Sequence, residues 1–224
     1  MLKLRNMLVA VIAITSLTFS AFAGSFGVGT TFSQTGVAAS GTEVTEGTET
    51  GDASTRTTSV DSEALIASFY AEYSTDSFSF SSEGNGFVLG FGYTPGEADV
   101  SDAIHQRSDG YSAAAKVSNY TNLYIEIPVF NMLYVKAGKS SIDVLTNETG
   151  SGANYPDVSL DGDMFGVGLK GKLTDKVQWK AFYEETNFDQ LNITSTGNAA
   201  PATGNNVKAD LDTDAFGISL GYVF

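Results

Sequence analysis

The chain contains no cysteine, so neither a disulfide framework nor a thiolate nucleophile or metal ligand can be drawn from it. A single histidine, His105, leaves no histidine cluster for a transition metal. Lys and Arg number 12 against 26 Asp and Glu, a net charge of -14, which argues against nucleic acid as a partner. Charged residues make up only 17% of the chain and prolines number four. After the first 17 residues no apolar run approaches the ~20 residues that a spanning helix needs. A protein built this way must be held together by packing and backbone hydrogen bonds, and any membrane crossing must be made by strands.

What is present begins with a leader. Lys3 and Arg5 precede an apolar run from Met7 to Leu17, and Ala21-Phe22-Ala23 supplies the small-x-small pattern that a signal peptidase reads. The run is too short for a membrane anchor. Residues 1–23 are therefore expected to be a signal peptide cleaved after Ala23, and residues 24–224 a single domain. Cleavage removes two basic residues and no acidic ones, leaving ten against 26 and a net charge of -16.

The domain reads as strands. Eight segments alternate with period two, the pattern of membrane barrels: 25–33, 64–73, 86–94, 113–127, one starting at Leu133, 163–173, 177–188 and the C-terminal 216–224. Phe87, Leu89, Phe91 and Tyr93 oppose Val88, Gly90 and Gly92, for example, and Phe216, Ile218, Leu220, Tyr222 and Phe224 share one face at the end. The fourth stops at Pro128, which lacks a ladder donor. The fifth loses its pattern from Lys139 to Asp143, where a bulge or exit from the membrane is expected. Short turns are expected at 129–131 and 174–176, and long polar loops at 40–59, 95–110, 147–159 and 195–207. The connection 74–85 is unusually long for a turn on the short-loop side, and Phe78 and Phe80 alternate there with serines.

With the apolar faces turned outward to lipid, the opposite faces collect Gly27, Gly29, Gly90, Gly92, Gly166, Gly168, Gly217 and Gly221. They also collect Glu72, Glu126, Lys136, Lys170, Lys172, Lys180 and Glu184. In a soluble sandwich the apolar faces would meet each other, and glycine would have no reason to share the charged face. In a barrel, glycine makes room for long side chains crossing a narrow interior. An all-β, eight-stranded antiparallel up-and-down transmembrane barrel follows, its lumen bridged by ion pairs among those seven charged residues.

These residues resemble the small bacterial outer-membrane barrels of the OmpA, OmpX and opacity-protein kind. The resemblance covers residues 24–224, most specifically Tyr134-Val135-Lys136-Ala137-Gly138, Leu173-Thr174-Asp175-Lys176-Val177 and the ending from Asp210 to Phe224. It implies a location in the outer membrane among lipid and lipopolysaccharide, and a C-terminal signal, Phe224 with Tyr222, read by the barrel assembly machinery. It implies no single activity, since members include adhesins, structural proteins, small channels and a few enzymes.

Chemistry is sparse. His105 lies in the expected loop 95–110 near Asp102, Ser108 and Asp109, with no fixed nucleophile and base. Neither a catalytic site nor a bound cofactor is expected. Asp210, Asp212 and Asp214 share the outward parity and stand just above the apolar segment, a row that could hold a divalent cation but that a solvated rim explains as well. The Thr-, Gly- and Glu-rich loop 40–59 cannot pack a core, and acidic loops of this kind fit recognition of a surface partner the sequence does not identify. The expected role is structural or recognition in the envelope; the alternative is a narrow channel for small solutes, and an outer-leaflet lipid-modifying enzyme is a distant third.

Overall fold

The computed structural model describes residues 24–45, 54–75, 86–106, 112–130, 132–149, 154–196 and 205–224. The expected leader 1–23 and the connection 76–85 lie outside the described residues. Nine strands follow one another: β1 Gly24–Thr45, β2 Ser54–Thr75, β3 Val88–Gln106, β4 Ser112–Pro128, β5 Leu133–Thr149, β6 Val158–Lys172, β7 Val177–Phe188, β8 Leu191–Thr194 and β9 Asn206–Val223. β1 to β7 pair antiparallel in chain order, β7 pairs with β9 and β9 with β1, so eight strands close a ring. The ninth, β8, continues β7 along β9 after a one-residue slip, from Asn187↔Asp212 to Leu191↔Ala209.

Both chain ends of the described barrel and the short turns lie at one end, here the lower. At 129–132 the N–H groups of Val129 and Phe130 donate to the Leu133 carbonyl. At 173–176 the Thr174 hydroxyl accepts from the N–H of Val177 at 3.0 Å, which closes the turn.

The outward face carries an apolar belt that no core covers. Phe32, Leu65, Phe69, Leu123, Phe165 and Phe216 are each more than half exposed, Leu65 at 83%. Such a belt suits lipid and not water.

Above the belt the structure departs from the sequence reading. Two of the expected long loops, 40–59 and 95–110, are largely strand among the described residues. β1 and β2 stay in register up to Thr45↔Ser54, β3 continues to Gln106, and β9 begins at Asn206. His105 is thus backbone-paired with Ala113 in β3 rather than placed in a loop. At about 3.3 Å per residue a strand of 22 residues is roughly 70 Å long, about twice what a bilayer crossing needs.

The reason lies in a switch of parity. Below, Val28 and Phe32 of β1 face out; above, Val37 faces in, with Ala39 packed against the same cluster. Likewise Ile142 and Val144 of β5, Leu160 of β6 and Leu211 of β9 point inward, and with Val100, Val117 and Phe188 they form a buried apolar layer in the upper barrel. The lower half is inside-out and the upper half packs like a soluble barrel.

Two further differences concern irregularities. The β5 alternation continues through Lys139 to Asp143, and the bulge lies in its partner β4, between Ser118 and Thr121, where Asn119 adopts φ 53°. The seam between β2 and β3 is paired only from Phe69↔Tyr93 to Ser74↔Val88. There β3 is bent by Pro95, which has no N–H, and by Gly96 at φ 100°, with a register shift between Thr94 and Glu97.

Candidate functional site in the lumen

Alternation places Glu72 of β2, Glu126 of β4, Lys136 of β5, Lys170 of β6 and Lys180 and Glu184 of β7 on the inner wall of the lower barrel. Closure of the ring brings them together. Lys180, 4% exposed, donates to Glu72 and to Glu126 Oε1, the latter at 2.6 Å. Lys170 stands 3.6 Å from Glu126 Oε2, an ion pair just beyond hydrogen-bond reach. Lys136 pairs with Glu184 at 2.8 Å. Three carboxylates face three ammonium groups, so the layer is electrically neutral.

Three tyrosines outside the expected charged set complete it. Tyr124 donates to Glu72 Oε1 at 2.6 Å, and the Lys136 ammonium lies 3.7 Å from the Tyr124 ring centre. Tyr70 and Tyr134 flank Lys180, their ring centres 5.4 and 5.7 Å from it. All three share the inward parity of Glu72, Glu126 and Lys136, which is the signal that could have found them. Their rings need glycine beside them: a Cβ on Gly90 would strike the Tyr124 ring, and one on Gly168 would meet Tyr134 Oη at 2.5 Å.

Above this layer a cavity of about 400 Å³ is floored by Glu72, Glu126, Lys136 and Lys180 and reaches Val37, Val117 and Ile142 of the apolar layer. A second cavity of about 190 Å³, lined mainly by apolar groups, lies on the far side, with Val117 common to both.

The remaining expected residues fall elsewhere. Lys172, at the lower mouth, is exposed and takes part in none of the ion pairs among the described residues, so the charge layer has six members rather than seven. Phe224 ties β9 to β1: its N–H donates to the Phe26 carbonyl at 2.8 Å, its ring stacks on Phe26 at 6.1 Å, and Tyr222 meets it edge-on at 5.2 Å. Asp210, Asp212 and Asp214 are exposed on the outer face, and Asp210 accepts from Gln190 at 2.9 Å. No group of three acidic or histidine side chains among the described residues is placed to hold a metal ion. Asp102 shares β3 with His105, whereas Ser108 and Asp109 lie outside the described residues.

No protein-family model and no curated protein matches the sequence. Among solved structures the chain is similar to the outer membrane protein OprG from Pseudomonas aeruginosa, with a TM-score of 0.52 at 13% identity over 91% of this chain and 97% of that one. The fold is that of the small bacterial outer-membrane β-barrels. The barrel is also similar to Ail of Yersinia pestis, with a TM-score of 0.45 and 12% identity over 91% of this chain and all of that one. The outer membrane protease OmpT from Escherichia coli aligns as well, with a TM-score of 0.47 and 7% identity over 92% and 99%. Likenesses at this level of identity show the fold and assign no activity to the barrel.

Proposed function

We propose that the chain is an integral outer-membrane protein, exported by a leader removed after Ala23, with a structural or surface-recognition role. The roles that fit are envelope integrity, adhesion, or contact with phage or host through acidic loops at the upper end. It is a non-catalytic protein in this reading, its surroundings are outer-membrane lipid and lipopolysaccharide, and the assembly machinery reads Phe224 and Tyr222. The observation that carries the reading is Lys180, buried between Glu72 and Glu126 with Lys170, Lys136 and Glu184 around it. Charges held in such a layer bar the lumen, because separating them costs several kcal/mol per ion. A solute channel would need an open, hydrated path instead.

The reconstituted protein should show no steady current in planar bilayers. Reproducible unitary openings would replace this reading with the channel. Mass spectrometry of the envelope form should find Gly24 at the N-terminus, and an intact Met1 there would remove the leader from the account.

A further inference from the structure

The wall of the barrel is not continuous. β2 and β3 part above Tyr93, where Ser68 Oγ and Thr94 Oγ1 lie 2.8 Å apart, and beyond that point no pairing joins the two strands among the described residues. The cavity above the charge layer reaches this seam. Its lining includes inward residues such as Ser118 and Asn122 together with the outward-facing Leu65 and Phe69, so it runs from the lumen through the wall to the outer surface. The height of the seam is fixed by register: Gln34 pairs with Leu65 on one side and Phe216 on the other, and both are strongly exposed members of the apolar belt. The mouth therefore opens at the upper edge of the belt, where lipid chains meet their headgroups.

We propose that this cavity is a binding site for a neutral single-chain amphiphile, which enters from the surrounding lipid between β2 and β3. The inference rests on the membrane placement proposed above and goes beyond it. Three features select the class. The charge layer beneath the cavity is neutral, three Glu against three Lys, and Glu97 in the lining is paired with Lys116 at 3.5 Å, so no unpaired charge faces the cavity to attract an ionic head. Four buried atoms of lining residues, Tyr70 Oη, Ser118 Oγ, Asn122 Oδ1 and Glu126 Oε2, make no hydrogen bond among the described residues; Glu126 Oε2 faces the Lys170 ammonium, and the two hydroxyls and the amide oxygen suit a hydroxyl or amide that can both donate and accept. Above the Ser68–Thr94 contact, Leu65, Ile66 and Ala98 line the seam with an apolar stretch that suits a hydrocarbon chain. Val37, Val117 and Ile142 close the way upward, which leaves the side as the entrance. The volume falls within the range of ordinary small-molecule sites.

The test is photolabelling of the full protein in phosphatidylcholine vesicles with a diazirine-bearing octanol, followed by peptide mapping. Two kinds of adduct are expected: non-saturable ones on the belt, at Phe165 and Leu169, and saturable ones at Ile66 and Asn122 that excess 1-decanol removes. Asn122→Leu should raise the half-saturating concentration by up to about tenfold, the effect of one lost hydrogen bond. Ala98→Trp, which fills the mouth, should abolish the saturable labelling in protein that still shows barrel mobility on unheated gels. Belt labelling without saturable labelling in the cavity would overturn the site and leave the membrane reading standing. Absence of belt labelling would overturn both.

Discussion

Lys180 is surrounded so that no other side chain can do its work. It is buried, it bridges two carboxylates from strands that do not pair with β7, and it lies between two tyrosine rings. Replacing it with Met keeps much of the volume but takes the ammonium partner from Glu72 and leaves Glu126 with Lys170 at 3.6 Å. A broken buried pair costs about 3–5 kcal/mol, so Lys180→Met should shift the urea midpoint of the barrel markedly downward. The Lys139–Asp163 pair, at 2.5 Å on the outer wall and about three-quarters exposed, is the control. Lys139→Ala should leave the midpoint unchanged within error, since water and salt already screen that contact. Equal shifts for the two variants would refute the layer's structural role. At this scale the sequence was partly legible: parity alone put Glu72, Glu126 and Lys180 on one wall. The partners were not legible, because Lys180 and Glu72 stand 108 residues apart and meet only when the ring closes.

Strands were legible wherever their apolar face met lipid and illegible above it. The segment 25–33 is recognisable because Phe26, Val28 and Phe32 alternate with small residues, but from Gly36 upward the apolar residues move to the other parity and the outer face turns polar. A single lipid-facing pattern ends the strand at Ser33, twelve residues short of Thr45. The Pro95-Gly96 pair reads in the sequence as a loop start, and in the fold it bends a strand that continues to Gln106. The last strand was the plainest of all. Its terminal residue does two things, stacking on Phe26 and adding the bottom hydrogen bond of the β1–β9 closure. Deleting Phe224 removes one edge rung and an exposed ring, which is a small loss beside the long ladder already formed from Gly27↔Val223 to Val44↔Asn206. The deletion should therefore reduce the amount of protein in outer-membrane fractions far more than it lowers the urea midpoint of whatever assembles. A full yield from the truncated chain would contradict the assembly role.

The whole molecule places two different barriers in one lumen. The lower is the charge layer; the upper is the apolar layer of Val37, Val117, Ile142, Phe188 and Leu211, with the two cavities lying on either side. Each blocks ions by its own physics. The charge layer fills the bore with paired side chains, and the apolar layer offers an ion no replacement for its hydration shell. Barriers in series are not removed by opening one of them. Glu126→Gln, which unbalances the lower layer, should therefore destabilise the barrel yet leave it non-conducting while the upper layer stands. The pair Val117→Ser and Leu211→Ser should hydrate the upper layer and likewise pass no steady current while Lys180 remains bound. Only the combination of Glu126→Gln with the two serine substitutions should give measurable conductance in planar bilayers, provided the combined variant retains barrel mobility on unheated gels. Conductance from Glu126→Gln alone would mean that the apolar layer is no barrier, and that the upper barrel serves to carry the strands beyond the membrane without sealing them.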